Sequence, residues 1–250
     1  MIGNPVFMRL KSQVWAYLSH HPRLRRGASR VLYALDRSFG SLSPGATAAI
    51  DAAWKLAMKK GTSGDYYEFG VFRGYLLWHA QMSARKIGIK AHFWGFDSFR
   101  GLPALEGIDR ADNEFFAGQF ACSRPQVEQY LRSHDSDMAQ ITLIEGFFSD
   151  SLTPELKRRH PFRRAAVVLL DCDLYSSTKE VLTWLADLLQ DGTILLFDDW
   201  DSWNANPNQG QRRAFREFME QNPGWRIEPL MRYVTTGHVF VLRRDLRKSR

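Results

Sequence analysis

Two apolar runs, each ending in paired carboxylates, constrain this chain more than any other feature. Ala165 to Leu170 reads AAVVLL and runs into Asp171-Cys172-Asp173, and Thr193 to Phe197 reads TILLF and runs into Asp198-Asp199. Short unbroken runs of Val, Ile and Leu mark strands buried on both faces, as in parallel sheets covered by helices. All four carboxylates then emerge at strand carboxyl ends, where open α/β sheets bind their ligands. Four acids at one sheet edge cannot all stay ionised unless a cation, a proton or wide spacing separates them. A metal ion answers this most simply, and magnesium prefers a few carboxylates with positions left for water or substrate oxygens. Helix capping would account for single Asp residues here, but it does not require two clusters on neighbouring strand ends.

The rest of the chain suits such a sheet. Helical spacing runs through Val6 to Leu18, Leu24 to Phe39 and Ser43-Pro44 to Lys59, the last closed by Gly61. After Gly64 strands and helices alternate. Strands are expected near Asp65–Phe69, His92–Phe96, Ile141–Ile144, Ala165–Asp171, Thr193–Phe197, Trp225–Pro229 and His238–Leu242. Helices are expected near Gly74–Arg85, Pro125–Ser133, Ser177–Leu189 and Gly210–Gln221, with Ser177 as an N-cap. Crossovers of that length imply a doubly wound, mostly parallel seven-stranded sheet, Rossmann-like in type. The last two strands leave no room for a helix between them and give an antiparallel edge. At 250 residues the chain fits one such domain (62–250) behind an N-terminal helical extension (1–61).

The first two strand ends point to a nucleoside cofactor. Glu68-Phe69-Gly70-Val71-Phe72-Arg73-Gly74 puts glycines where the chain turns from strand to helix and where a ligand can approach the backbone. Asp97, in Gly95-Phe96-Asp97-Ser98-Phe99, is placed to accept from ribose hydroxyls. The three-glycine fingerprint of dinucleotide binding is missing, which disfavours a nicotinamide oxidoreductase. A carboxylate inside the turn would repel a pyrophosphate, whereas it suits the cationic amino acid end of S-adenosylmethionine.

These runs resemble a known family. Tyr67-Glu68-Phe69-Gly70-Val71-x-x-Gly74, Phe96-Asp97-Ser98-Phe99-x-Gly101-Leu102-Pro103, Asp171-x-Asp173-Leu174-Tyr175-x-Ser177-Thr178 and Asp198-Asp199 are similar to the macrocin and mycinamicin O-methyltransferases, of the class I S-adenosylmethionine-dependent type. The resemblance covers about residues 64 to 220. It implies magnesium ligands at Asp171, Asp198 and Asp199 and a general base at Asp173. It implies cofactor contacts at Glu68, Gly70 and Asp97, with Gly74, Ser98 and Asp171 in the same runs, and an adenine-side segment at Glu145-Gly146-Phe147. Cys172 and Ser176 depart from the family pattern, which has Gly and often Glu there. The implied acceptor is a hydroxyl with a neighbouring oxygen, on the sugar of a glycoside natural product or polysaccharide. A catechol-type acceptor satisfies the same chelation, and a non-catalytic nucleotide-binding module would need only the Glu68 and Asp97 ends. Family members often self-associate, so a homo-oligomer is a further expectation.

Charge narrows the partners. The net charge is +7, with +6 in residues 1 to 37 and +4 in residues 241 to 250, which leaves −3 for the body between them. A body of that sign does not read as a nucleic-acid surface. The basic ends read as solvated, with peripheral contact to an anionic lipid or polymer as the alternative. Two cysteines make no disulfide framework. With no signal-type segment and no apolar run near the roughly 18 residues of a spanning helix, a cytoplasmic location is expected. Cys172, among carboxylates, is a poor nucleophile. The segment from Trp200 to Gln211 reads equally as a sugar-binding lid or an irregular connection.

Overall fold

The computed structural model describes residues 44–110, 115–233 and 235–245. The two helices expected before residue 40 lie outside them. The described elements are α1 (Pro44–Lys60), β1 (Asp65–Phe69), α2 (Tyr75–Lys86), β2 (Phe93–Asp97), α3 (Arg124–Ser133), β3 (Ile141–Glu145), α4 (Phe148–Ser151), α5 (Pro154–Arg159), β4 (Ala165–Leu170), α6 (Tyr175–Leu185), β5 (Ile194–Phe197), α7 (Gly210–Gln221), β6 (Trp225–Tyr233) and β7 (Gly237–Arg244).

They build one seven-stranded sheet in the order β3-β2-β1-β4-β5-β7-β6. β1 to β5 are parallel, while β7 runs antiparallel to β5 and β6 antiparallel to β7. The reversed strand is therefore β7, one place in from the edge, and β6 forms the edge itself. Strand order reverses between β1 and β4, which opens a crevice at their carboxyl ends.

Every residue of β1, β2, β4 and β5 is buried. Side chains alternate along each strand, so Tyr66, Phe93, Val167, Leu169, Ile194 and Leu196 pack on one face with α1 and α2. Tyr67, Phe69, Trp94, Phe96, Val168, Leu170, Leu195 and Phe197 pack on the other with α6 and α7. Helix α1 presents Ala46, Ala49, Ala53 and Ala57, which let it lie close, together with Ile50 and Trp54. The buried Trp54 indole donates to the Ala80 carbonyl at 3.1 Å. The boundary expected at residue 61 thus falls between a helix of the core and the strand that follows it.

Two elements differ from the sequence reading. The β3 to β4 crossover carries two short helices, α4 and α5, that were not expected. Helix α6 starts at Tyr175, and Ser177 lies inside its first turn. The cap comes from a distant residue: buried Asp109 accepts from Tyr175 N at 2.9 Å and from Ser176 N at 3.1 Å. A carboxylate there satisfies orphan N–H groups and complements the positive helix end. Among the described residues no helix is long and apolar enough to cross a membrane.

Candidate active site

A cavity of about 520 Å³ opens at the β1/β4 crevice and brings both sets of strand ends together. Glu68, Gly70, Asp97, Ser98, Gly146, Phe147, Asp171, Asp173, Asp198 and Asp199 all line it.

At the β1 end the backbone sits unusually close to its neighbour. Gly70 has φ +98°, and a Cβ there would stand 1.7 Å from the Asp171 carbonyl oxygen, so only glycine fits between β1 and β4. Glu68 is fully buried beneath this turn and accepts from the Tyr66 hydroxyl at 2.7 Å through Oε2. Its Oε1 is buried without a partner. Burial pushes the Glu68 pKa up to about 8, against the opposing pull of the Tyr66 hydrogen bond. An acid so placed becomes a good counter-charge only when a cation enters beside it.

Asp97 is used differently from the sequence expectation. Its Oδ2 accepts from Val71 N and Phe72 N, both at 2.8 Å, and its Oδ1 from Phe99 N at 2.7 Å. These bonds occupy most of the acceptor capacity of a carboxylate and tie the turn after β1 to the end of β2. Burial still raises its pKa. Ser98 also builds the turn, donating to the Gly101 carbonyl at 2.7 Å and accepting from Arg100 N at 3.0 Å.

Two expected cofactor residues stay outside the cavity. Gly74, at φ +80°, precedes α2, and a Cβ there would meet Val127 Cγ1 at 3.0 Å, so this glycine serves the packing of α2 on α3. Glu145 is exposed and pairs only loosely with Arg124, at 3.9 Å. β3 is the edge strand of the sheet, and Glu145, its last residue, stands clear of the core that buries Ile141 and Leu143 on the same face.

At the β4/β5 end, carboxylate oxygens of Asp171, Asp173 and Asp199 lie within 4.8 Å of one another. Asp198 is not one of these three. Its Oδ1 is buried without a hydrogen-bond partner, as is the hydroxyl of Tyr233, which lies near enough to act on it. Burial raises the Asp198 pKa to about 6. Burial, followed by the charges of Asp198, Asp199, Asp173 and Glu68, holds Asp171 well above the usual carboxylate range. Asp173 sits at φ +58°, a left-handed conformation costly for a residue with a Cβ, and strain of this kind collects at functional sites.

Residues not anticipated from sequence hold this cluster in place. Buried Gln211 accepts from Asp199 N at 3.0 Å and donates to the Leu170 carbonyl at 2.9 Å, bridging the ends of β4 and β5. Asp199 accepts from Asp173 N at 3.1 Å and from Ser202 Oγ at 3.2 Å. The segment from Trp200 to Gln211 is anchored at its start. Trp200 packs on Phe197, Phe215 and Phe240, and Asp201 takes Arg212, Arg232 and His238 as partners. Further along, the Trp203 indole lies over Gly210, where a Cβ would stand 2.5 Å from its Cδ1, and donates to the Asp173 carbonyl at 3.4 Å. Cys172 is buried, its thiol pKa raised by burial first and the carboxylates after, as expected of an inert thiol.

The family model Macrocin-O-methyltransferase (TylF) matches residues 47–234. The chain belongs to the macrocin O-methyltransferase family. It is 28% identical over 152 residues to the mycinamicin III 3''-O-methyltransferase of Micromonospora griseorubida, covering 58% of each chain. It is 32% identical over 152 residues to an 8-demethyl-8-(2,3-dimethoxy-alpha-L-rhamnosyl)-tetracenomycin-C 4'-O-methyltransferase of Streptomyces olivaceus, covering 58% of this chain and 56% of that one. The matches thus span under two thirds of these curated relatives. The fold is shared with the O-methyltransferase NovP, at TM-score 0.68 and 22% identity over 80% of this chain and 79% of that one. It is shared also with the calicheamicin methyltransferase CalS11, at TM-score 0.62 and 24% identity over 78% and 77%.

Proposed function

We propose that this member of the macrocin O-methyltransferase family moves the methyl group of S-adenosylmethionine to a sugar hydroxyl of a glycoside natural product or polysaccharide, in a magnesium-dependent reaction. The observation that carries this reading is one cavity with two unlike ends. A buried, half-satisfied carboxylate, Glu68, stands at one end, and a cluster of crowded acids stands at the other. The relatives' names support the acceptor class, one of them specifying a rhamnosyl group.

The donor set fits a magnesium ion: it is all carboxylate oxygen, Asp171, Asp173 and Asp199 converge, and the neighbouring Asp198 has a buried Oδ1 without a partner. Asp171, Asp198 and Asp199 would hold the ion. When bound, it would polarise neighbouring acceptor oxygens and make a hydroxyl easier to deprotonate. Glu68 would bind the cofactor's ammonium group, giving up its own proton as the cation arrives, and Gly70 would let the amino acid part approach the backbone. Asp97 would hold the turn that shapes this end. Gly146 and Phe147 would border the base. Asp173 would receive the acceptor hydroxyl proton while the oxygen attacks the methyl carbon and the sulfur–methyl bond breaks, releasing S-adenosylhomocysteine. Catalysis is then mostly positioning of two reactants in line. Residues 62–250 would form the catalytic domain, buttressed by α1, in the cytoplasm.

The test is methyl transfer from labelled S-adenosylmethionine to a panel of deoxysugar glycosides, nucleotide sugars and catechols, with magnesium and with excess chelator. Transfer to a sugar that stops in chelator and returns with magnesium supports the reading. Transfer only to catechols overturns the acceptor, and full transfer in chelator overturns the metal.

A further inference from the structure

Glu180 is a half-buried carboxylate that lines the cavity and that the chemistry above leaves unused. It makes no hydrogen bond or ion pair with any described residue. It follows Ser176 by four residues on α6, so the two share one helix face, and both line the cavity. Helix α6 contacts both α4 and the 107–110 turn, and after burial the charges that act on Glu180 are Asp150 and Asp109 of those two elements. Helix α6 packs on α4, and Phe147, Phe148 and Ser149, at the start of α4, line the same cavity as Glu180. The Phe147 ring is braced by the Arg100 guanidinium at 4.6 Å. Glu145, the acid expected on this side of the site, is exposed and does not line the cavity.

We propose that Glu180 reads the base of the cofactor: its carboxylate accepts from the exocyclic amine of adenine while Phe147 covers the ring. This rests on the S-adenosylmethionine reading above and names a residue that sets its specificity. With Glu68 at the methionine end and the β4/β5 acids at the methyl end, the part of the cavity after β3 is left for the base. A purine amine offers N–H donors at its edge, and an ionised carboxylate is an acceptor only. A purine with an oxo group at that position would set lone pairs against lone pairs, leaving a partly desolvated acceptor unpaired.

Calorimetric titration of the full chain with S-adenosylhomocysteine and with S-inosylhomocysteine, its 6-oxo analogue, tests this. Wild type should prefer the adenine form by about tenfold or more, as for a lost hydrogen bond to a charged group. Glu180→Gln, isosteric and able to turn an N–H toward the oxo group, should narrow the preference to about threefold or less. An unchanged preference in Glu180→Gln overturns the proposal, and so does a wild type with no preference. A variant with both affinities intact but a raised KM for the acceptor assigns the carboxylate to the sugar instead. If wild type binds neither compound, the cofactor reading falls, and this proposal with it.

Discussion

The two ends of the sheet treat the same side chain in opposite ways. At the amino end, Asp65 opens β1 fully buried and fully used: it accepts from Arg163 Nε at 2.9 Å, His92 N at 3.0 Å and Trp94 Nε1 at 3.1 Å. At the carboxyl end, Asp171, Asp173 and Asp199 bring carboxylate oxygens within 4.8 Å of one another, and the buried Oδ1 of Asp198 has no hydrogen-bond partner among the described residues. Burying a charge is costly unless it is paired. The amino end meets that requirement with protein groups, and at the carboxyl end a bound cation is the proposed answer. An acid cluster of this kind costs stability, and function is the physical reason to keep it.

Substitutions can break or sharpen this contrast. The largest effect is expected at Asp173. Asp173→Asn should lower turnover by roughly 100-fold or more with the magnesium requirement unchanged, the usual contribution of a general base. A raised magnesium requirement instead would make Asp173 a ligand, a role its place among the three converging carboxylates also permits. Next, Asp65→Ala should cost about 2 to 4 kcal/mol in urea denaturation, because buried N–H groups lose their acceptor, while activity per folded molecule is kept. By the same assay, Asp171→Asn should stabilise the metal-free protein by about 1 kcal/mol, since it removes like-charge repulsion. If Asp171→Asn destabilised the protein as Asp65→Ala does, the two ends would not differ and the contrast would fail.

The smallest effect is in pH. Glu68, raised to about 8, and Asp198, raised to about 6, keep protons in the folded state that the unfolded chain has already lost. Where the native state binds more protons, stability falls as pH rises. Unfolding of the metal-free protein should therefore show a falling midpoint between about pH 6.5 and 8, above the range where the lowered His92 pKa pulls the other way. Glu68→Gln should flatten that slope. A midpoint that rises with pH over this range would mean that Glu68 is ionised before any cation binds.

The sheet was legible because buried parallel strands write themselves as unbroken runs such as AAVVLL, with acids at a fixed place after them. The strands came out within a few residues wherever such a run existed. What stayed hidden depends on contacts distant in sequence. Asp109 sits in a polar loop that reads as solvent-exposed, yet it caps a helix 66 residues away. Gln211 lies near the start of an amphipathic helix, where an amide carries no signal of its bridge between two strand ends. Gly74 and Glu145 sit in runs that point to a ligand, and the structure places both outside the cavity, Gly74 against α3 and Glu145 exposed at the end of the edge strand. Asp97, expected to accept from ribose hydroxyls, does end β2, and its hydrogen bonds go to the loop beside it.

The central claim is that the crowded acids are a cation site. Magnesium titrated calorimetrically into metal-free protein saturated with S-adenosylhomocysteine tests it most directly, alongside Asp199→Asn. The account predicts one ion bound per chain, with affinity at least about tenfold weaker in the variant, as for a lost charged ligand. Absence of binding heat in wild type, with methyl transfer running at full rate in excess chelator, would contradict it.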